Sequence, residues 1–372
     1  MIDHTPLDVA RLSPAAQKAL GPGPARMMAA RGMAPLPPVD QLTVLYQLMV
    51  EGDQGLAASA NQTATKLPDT ILAGALVNGQ LDPRVIDKFA QLVGNRAPVF
   101  DALVQNPSIA DETLAALAGR LGAREVDRIA ANEQRMLRHP QIIAAMYMNK
   151  NARMSTVDRA VELAVRNNVR VPGLACWDEI ARSLQGAQPA ESSEGDALFA
   201  MAAEAVSGDD RELTQGDGEQ VRDDDSHEQR ENALLEQTKD LPIDKLSIPG
   251  KIRLATLGNG FHRAVLIRDP MRIVAMAAIK SPAVTEFEAK SYAGNQTLAE
   301  DVIRYIASRR EWTKNIQVKK ALCRNPKTPI NDAAKLLPFL LEKDLNALAR
   351  SKGVPSAVAA QARKLIMQRK GG

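Results

Sequence analysis

Short apolar segments run through most of this chain and are separated by Asn-Pro, Asp-Pro and related pairs, such as Asn106-Pro107 and Asn325-Pro326. Proline disfavours helical geometry in the residue before it, and its missing N–H costs nothing at the first position of a helix. Asn, Asp or Ser beside the proline can accept a hydrogen bond from a free amide of a new helix. Each pair therefore predicts that one helix ends and the next begins within about two residues. The other pairs of this kind are Asp82-Pro83, His139-Pro140, Asp269-Pro270 and Ser281-Pro282.

The composition also favours helices. Hydrophobic residues make up 45% of the chain and aromatic residues only 3%. Ala, Leu and Val supply most of the apolar surface, a mixture that suits closely packed helices and suits strands poorly. With 372 residues, the chain is longer than a single core usually organises. We therefore expect an all-α protein made of two domains or of one elongated array.

Changes in composition along the chain predict four regions. Residues 1–38 are rich in Pro, Gly, Ala and Met without a sustained period, which predicts a disordered tail. Residues 39–185 are predicted to form an N-terminal helical-repeat domain. Residues 186–247 carry 17 Asp+Glu against 5 Lys+Arg and are predicted to be a mostly disordered acidic linker. Residues 248–372 carry 23 Lys+Arg against 9 Asp+Glu and are predicted to form a basic C-terminal helical-repeat domain.

One segment of the chain has a similar counterpart 130 residues later. Between Arg138–Lys150 and Arg268–Lys280, six of thirteen positions are identical, where unrelated segments would share about one. This match predicts that the chain contains two copies of one helical array. The identical positions are Arg138/Arg268, Pro140/Pro270, Ile143/Ile273, Ala145/Ala275, Met146/Met276 and Lys150/Lys280.

The sequence Ala-Leu-Cys-Arg-Asn-Pro-Lys-Thr-Pro at 321–329 resembles the signature of leucine-rich-repeat-variant proteins, which are similar to HEAT repeats. Residues 102–109 match it more weakly, and the spacing of 24 residues between Pro83 and Pro107 fits that family's period. The stretch 310–315 is similar to one in an uncharacterised bacterial family. These resemblances imply a right-handed α-solenoid of short stacked antiparallel helices, here as two arrays joined by the acidic linker.

Basic residues crowd around Trp312 in the C-terminal region. On stacked helices, several would share one face, which could bind an acidic protein, nucleic acid or a membrane headgroup. The alternative is an ordinary solvated surface, which is how most Lys and Arg residues are used. The candidate binding residues are Arg304, Arg309, Arg310, Trp312, Lys314, Lys319, Lys320, Arg324, Lys327 and Lys335.

The linker contains an apolar island that predicts a short helix at 196–206. Its stripe consists of Leu198, Met201, Ala202 and Ala205, at helical spacing. The helix is a candidate for docking into a groove of this chain or of a partner. The alternative is a terminal cap of the first array.

No catalytic or metal-binding pattern stands out. None of the four histidines (His4, His139, His227 and His262) lies near Cys or an acidic pair at ligand spacing, and no metal or cofactor is expected. Cys176 and Cys323 are far apart, as free thiols in a reducing cytoplasm would be. No apolar run is long enough to cross a bilayer, so the predicted location is cytoplasmic.

We therefore expect a non-enzymatic scaffold or adaptor that binds a protein partner, with the basic C-terminal array as its binding face. Binding of nucleic acid or another polyanion is the alternative. The net charges of −12 on the linker and +14 on the C-terminal region also predict an intramolecular contact. A HEAT-like DNA glycosylase-type enzyme is the third reading and would need a carboxylate in the basic face. The carboxylates available for it are Glu286, Glu288, Glu300, Asp301 and Glu311.

Overall fold

The computed structural model describes residues 2–184, 193–204, 210–215, 242–351 and 353–370. Within those ranges the regular structure is helical and no strand occurs, which confirms the all-α prediction. The chain divides into two units, Met1–Gly173 and Leu174–Gly372. Among the described residues, no helix combines the length and the apolar character needed to cross a membrane.

The first unit is a succession of short helices whose apolar faces, including Tyr46, Phe89 and Phe100, are buried in its core. The helices are Val9–Arg11 (a 3-10 helix), Pro14–Ala19, Pro24–Ala30, Pro38–Val50, Gln54–Lys66, Asp69–Leu76, Pro83–Val93, Ala97–Gln105, Asp111–Ala118, Ala123–Ala130, Glu133–Arg138, Gln141–Met148 and Met154–Arg166.

The second unit is built in the same style, with buried residues such as Ile252, Ile303 and Leu322 in its core. Its described helices are Trp177–Leu184, Ser193–Glu204, Arg211–Thr214, Pro242–Lys245 (3-10), Ile248–Leu257, Gly260–Leu266, Arg272–Lys280, Glu286–Gly294, Glu300–Ser308, Arg310–Thr313, Ile316–Arg324, Ile330–Leu336, Leu337–Phe339 (3-10), Glu342–Arg350 and Ser356–Lys370.

Four of the six proline-containing pairs directly follow a helix, at Asn106, His139, Ser281 and Asn325, but only some of the six begin the next helix as predicted. Asp82 caps the helix that starts at Pro83, and its carboxylate accepts from the Arg84 amide at 2.9 Å. Asn106 and Asn325 instead directly follow the last residue of a helix. The next helices begin only at Asp111 and Ile330, so the prediction of an immediate restart is wrong at these two pairs.

The asparagines in these breaks are buried and link each helix to an earlier one. The Asn106 amide donates to the carbonyl of Asn78 at 3.1 Å, and that of Asn149 donates to Ala118 at 2.8 Å. Such carbonyls at a helix C-terminus have no partner within their own helix. Further bonds of this type run from Asn106 to Leu76, from Asn149 to Leu121, from Asn325 to Ala293 and Asn295, and from the Ser281 hydroxyl to Thr256.

Each of these bonds joins two helices that pack side by side. The paired helices are Asp69–Leu76 with Ala97–Gln105, Asp111–Ala118 with Gln141–Met148, Ile248–Leu257 with Arg272–Lys280, and Glu286–Gly294 with Ile316–Arg324. The same device therefore occurs in both units, where it ties the end of one helix to the end of its neighbour.

Burial does not support the predicted alignment of the internal match. Ile143 and Met146 are buried, whereas their counterparts Ile273 and Met276 are only partly buried. Pairing the helix-ending residues Asn149 and Ser281 shifts the alignment by two further residues, which turns a helix by about 200°. In that register the buried positions coincide, namely Ile142/Val274, Ile143/Ala275, Met146/Ala278 and Tyr147/Ile279.

The predicted disordered tail at 1–38 is instead packed onto the first unit over its described residues. The Tyr46 hydroxyl donates to the Thr5 carbonyl at 2.9 Å, and the Leu7 amide donates to Gln47 at 2.7 Å. Prolines here occupy first helical turns, at Pro14–Ala19 and Pro24–Ala30. The prediction was wrong because residues that are typical of disorder also punctuate very short helices.

The predicted boundary at residue 185 also lies too late. The helix Trp177–Leu184 belongs to the second unit, where the Glu179 carboxylate pairs with Lys280 at 2.8 Å. Parts of the predicted linker (Ser193–Glu204, Arg211–Thr214 and Pro242–Lys245) are helical. The rest of the linker lies outside the described residues.

Candidate partner-binding surface

Tyr305 organises a cluster of aromatic and basic side chains in the second unit. Arg309 follows it by four residues, directly after the end of the helix Glu300–Ser308, and its side chain lies beside that of Tyr305. The Arg309 guanidinium carbon is 4.7 Å from the centre of the Tyr305 ring, and the guanidinium also donates to the Tyr305 hydroxyl. Trp312 meets the same ring edge-on, with the ring centres 6.1 Å apart. Cation–π and edge-to-face contacts thus hold a tyrosine, an arginine and a tryptophan together.

The cluster is anchored to the interior of the second unit through Lys280. The ammonium of Lys280 lies 5.9 Å from the centre of the Tyr305 ring and 2.8 Å from Glu179 Oε1. Glu179 is buried, and its other oxygen, Oε2, has no hydrogen-bond partner in the described structure. Lys280 therefore neutralises a buried carboxylate and is not available to a ligand.

Four of the predicted binding residues have polar partners within the unit itself, and of these only Lys320 pairs with a buried carboxylate. Lys320 pairs with the buried Asp344 at 2.8 Å, and Lys335 pairs with Asp332 at 3.0 Å. Arg304 pairs with the two acidic residues that begin its own helix, Glu300 and Asp301. Lys327 donates to the carbonyls of Thr297 and Leu298 at 3.0 and 2.6 Å.

Other predicted residues keep their charge exposed. Arg310 and Lys314 are exposed and form no ion pair with any described residue. Both lie within or next to the short helix Arg310–Thr313, which also carries the half-buried Trp312. We call Tyr305, Arg309, Arg310, Trp312 and Lys314 the aromatic–basic surface.

The remaining two predicted residues lie outside the aromatic–basic surface. Arg324 is exposed at the end of the helix Ile316–Arg324. The Lys319 ammonium instead lies 4.7 Å from the centre of the Phe339 ring. The predicted set therefore includes two aromatic contacts, one at Tyr305 and one at Phe339, together with several structural ion pairs.

Sequence reasoning missed Tyr305, Lys280 and Phe339. The spacing of Tyr305 and Arg309 at i and i+4 was a usable signal, because such pairs meet on a helix. Lys280 carried no such signal, since its partner Glu179 lies 101 positions earlier in the chain.

The helix Ser193–Glu204 packs on its own unit, in a register different from the predicted stripe. Phe199 and Ala202 are buried, Leu198 is partly buried and Met201 is 59% exposed. The Arg253 guanidinium lies 4.8 Å from the centre of the Phe199 ring. Ala205 lies outside the described residues. The alternative of a cap on the first array is therefore wrong, because Phe199 and Ala202 pack in the second unit.

The next described segment of the predicted linker, 210–215, also packs on the second unit. The Asp210 carboxylate accepts from the Gly260 amide at 2.7 Å, at the start of the helix Gly260–Leu266. A Cβ at Gly260 would lie 2.8 Å from Thr214 Cγ2, so a larger residue there would force the Thr214 side chain to move. Leu213 adds to a small apolar cluster with Phe261 and Ala264.

The carboxylates considered for a glycosylase-like activity are in surface or structural settings. Glu288 is buried, and both of its oxygens accept from Arg263, at 2.8 and 3.1 Å. Glu300 and Asp301 pair with Arg304, while Glu286 and Glu311 are exposed. Among the described residues, no group of three or more His, Cys, Asp or Glu side chains could hold a metal ion.

Both cysteines are buried free thiols. Burial raises the pKa of the Cys323 thiol to about 12 and also raises the pKa of the Cys176 thiol. Because the thiolate is the nucleophile, neither group is poised for covalent chemistry at neutral pH.

Over its described residues the protein is all-α, and its second unit carries a partly exposed cluster of aromatic and basic side chains. The chain matches no protein-family model, and comparisons with curated proteins and with solved structures find no similar protein. The resemblance to HEAT-like and leucine-rich-repeat-variant proteins therefore stays a prediction.

Proposed function

We propose that this protein is a non-enzymatic adaptor that binds an acidic segment of a protein partner at the aromatic–basic surface. The observation that carries the proposal is the pair Arg310 and Lys314, which stay exposed and without an ion pair among the described residues, beside the half-buried Trp312. Trp, Tyr and Arg are the residues that most often dominate protein–protein interfaces. Arg309 is already oriented by Tyr305, which lowers the entropy lost on binding.

We further propose that the helices of each unit stack as a right-handed α-solenoid, which gives the chain two arrays. The buried Asn-to-carbonyl bonds of Asn106, Asn149 and Asn325 support this arrangement, because they repeat one helix-to-helix relationship in both units. Solenoids typically act by presenting extended binding surfaces.

The adaptor proposal can be tested by charge reversal at Arg310 and Lys314 in the full chain. Both side chains are exposed, so R310E/K314E should leave the fold intact. A partner captured by the wild-type protein, identified and purified, should bind the double variant at least about tenfold more weakly, because two attractive charges become repulsive. The matched control is K150E/R159E, which makes the same charge change at exposed residues of the first unit. Equal affinities for the two double variants would contradict the proposal.

Nucleic-acid binding is the second candidate, favoured by the alternation of aromatic and basic residues at Tyr305, Arg309 and Trp312. Bases can stack on such rings while the cations contact phosphates. A fluorescein-labelled oligo(dT) strand and a labelled duplex would serve as probes. Affinity for them should fall steeply with salt, and W312A should weaken the single strand more than the duplex. A protein partner would show weaker salt dependence and a fixed stoichiometry.

The predicted contact between the acidic linker and the basic region stays a prediction, since most of the acidic residues concerned lie outside the described residues. Deleting residues 208–228 of the linker is a poor test, because the deletion would also remove Asp210 and Thr214, which are hydrogen-bonded to other residues of the second unit. Substitution of Asp223, Asp224 and Asp225 by Asn spares those bonds. It should raise the affinity for a polyanion such as heparin if the linker competes for the surface. A cytoplasmic location is likewise a proposal, for which the two free thiols are the support.

A further inference from the structure

The turn Leu337–Leu341 exposes two large apolar side chains to solvent. Leu337 and Leu340 are buried, whereas Phe339 is 65% exposed and Leu341 is 63% exposed. Phe339 ends the 3-10 helix Leu337–Phe339, and Leu341 directly precedes the helix Glu342–Arg350. The turn therefore directs Leu337 and Leu340 inward and leaves Phe339 and Leu341 exposed to solvent.

The backbone of this turn is fixed by a side chain from the C-terminal helix. Arg369 donates from Nη1 to the Leu340 carbonyl at 2.9 Å and from Nη2 to the Pro338 carbonyl at 2.6 Å. The Leu340 amide donates to the Leu337 carbonyl at 3.0 Å. Proline at position 338 further restricts the chain. The two apolar side chains are therefore presented from a preorganised backbone, which reduces the entropy that a partner must overcome.

The charges around the turn are mainly positive. The Lys319 ammonium lies 4.7 Å from the centre of the Phe339 ring. Lys343 is exposed two residues after Leu341, and the acidic neighbour is Glu342. Neither Lys319 nor Lys343 forms an ion pair with a described residue. An apolar site with a basic rim is complementary to an apolar segment that carries carboxylates.

A lipid surface is the less favourable occupant for the same site. Inserting the Phe339 ring into hydrocarbon would draw the Lys319 ammonium off the ring and toward the headgroups, at the cost of the cation–π contact between them. A protein segment avoids this cost, since a carboxylate can pair with Lys319 while an apolar side chain covers the ring.

We propose that Phe339 and Leu341, with Lys319 beside them, form an anchor site for an acidic protein segment that carries large apolar side chains. This inference rests on the proposed adaptor function and adds the apolar character of the partner. The site is distinct from the aromatic–basic surface in its residues, so the two can be disabled separately.

The test uses fluorescent peptides and the full chain. One peptide alternates Asp with Leu and Phe, a second keeps the Asp residues but replaces Leu and Phe by Ser, and a third replaces Asp by Lys. We expect only the first peptide to bind well. F339A and L341A should each weaken that binding about tenfold or more, since each removes a large apolar side chain from the contact. K319Q should weaken it and reduce its salt dependence.

The control is M271A, which removes an exposed apolar side chain elsewhere in the second unit, where Met271 is 45% exposed. Because Phe339 and Leu341 are exposed, their variants should keep the thermal unfolding midpoint of the wild type. The proposal is overturned if F339A and L341A bind the first peptide like M271A. It is also overturned if none of the peptides binds but the chain binds phosphatidylserine vesicles through Phe339. Loss of partner binding in R310E/K314E but not in F339A would leave the adaptor function standing and remove the anchor site.

Discussion

The side-chain amide of Asn325 donates to the backbone carbonyl of Ala293, 2.9 Å away and 32 positions earlier in the chain. The same amide also donates to the Asn295 carbonyl at 3.0 Å, and its oxygen accepts from the Lys327 amide at 2.9 Å. One buried side chain thus forms hydrogen bonds both with the backbone of its own turn and with the backbone at the end of a neighbouring helix. Asn106 and Asn149 repeat this arrangement in the first unit.

Replacing Asn325 by Ala should lower the free energy of unfolding by about 2 kcal/mol, because buried carbonyls at the end of the helix Glu286–Gly294 lose their partner. Urea unfolding of the full chain, followed by circular dichroism, measures the change. N149A should cause a similar loss in the first unit. The control is N346A, because the exposed Asn346 amide donates to the Glu342 carbonyl of its own helix, and this loss should cost less than about 0.5 kcal/mol. An N325A protein as stable as N346A would disprove the assigned role.

Arg263 and Glu288 form a buried bidentate ion pair in the second unit. R263A should destabilise the protein by about 3–5 kcal/mol, because it leaves a buried carboxylate without its partner. The double variant R263M/E288Q removes both charges, and the Gln side chain can still accept from the Thr285 amide as Glu288 does, so it should recover part of that loss. Thermal and urea unfolding of the two variants test this. If the double variant is less stable than R263A, the penalty does not come from an unpaired charge.

The carboxylate of Asp82 should make the stability of the first unit depend on pH. Burial alone would raise the pKa of Asp82, but hydrogen bonds from the Arg84 side chain and amide outweigh it, and the pKa lies below its ordinary value of 3.8. The contribution of this carboxylate to stability is therefore present above pH 3.8 and is lost as the pH falls through the lower pKa of the folded state.

The comparison is between wild type and D82N, since Asn also caps helices well. The wild type should be the more stable at neutral pH, and the difference should shrink in acid. A difference that stays constant from pH 7 to pH 2 would contradict the assignment to Asp82.

Cys176 and Cys323 should react very slowly with a disulfide reagent such as DTNB in the folded protein, because both are buried and burial raises the pKa of each thiol. Both should react rapidly in urea, where the thiols are exposed. The absorbance of the released thiolate counts them. Rapid reaction of either thiol in native buffer would show that its site opens to solvent.

The N-terminal segment should contribute to stability. His4 lies 3.0 Å from the buried Asp87, and Thr5 and Leu7 are bonded to Tyr46 and Gln47. Deleting residues 2–7 should therefore lower the unfolding midpoint of the first unit, whereas the same deletion in a disordered tail would leave it unchanged. Differential scanning calorimetry of the full chain resolves this.

The helical class and the places where helices end could be predicted from the sequence, because both depend on local chemistry. Proline disfavours the helical conformation in the residue before it, and Asn106, Asn325 and Asp82 all lie beside such a proline. The spacing of apolar residues likewise reports a helix without knowledge of its neighbours. The basic stretch around Trp312 could be found in the same way.

The tertiary structure alone decided what those residues do. Asn325 has the local signature of a helix cap, but its amide is used by a helix about thirty residues away in the chain. Lys320 and Arg310 look alike in sequence, yet one is neutralised by Asp344 and the other stays exposed. The physical reason is that burial and pairing depend on distant residues brought close by folding, whereas helix formation and termination depend on the residues next in the chain.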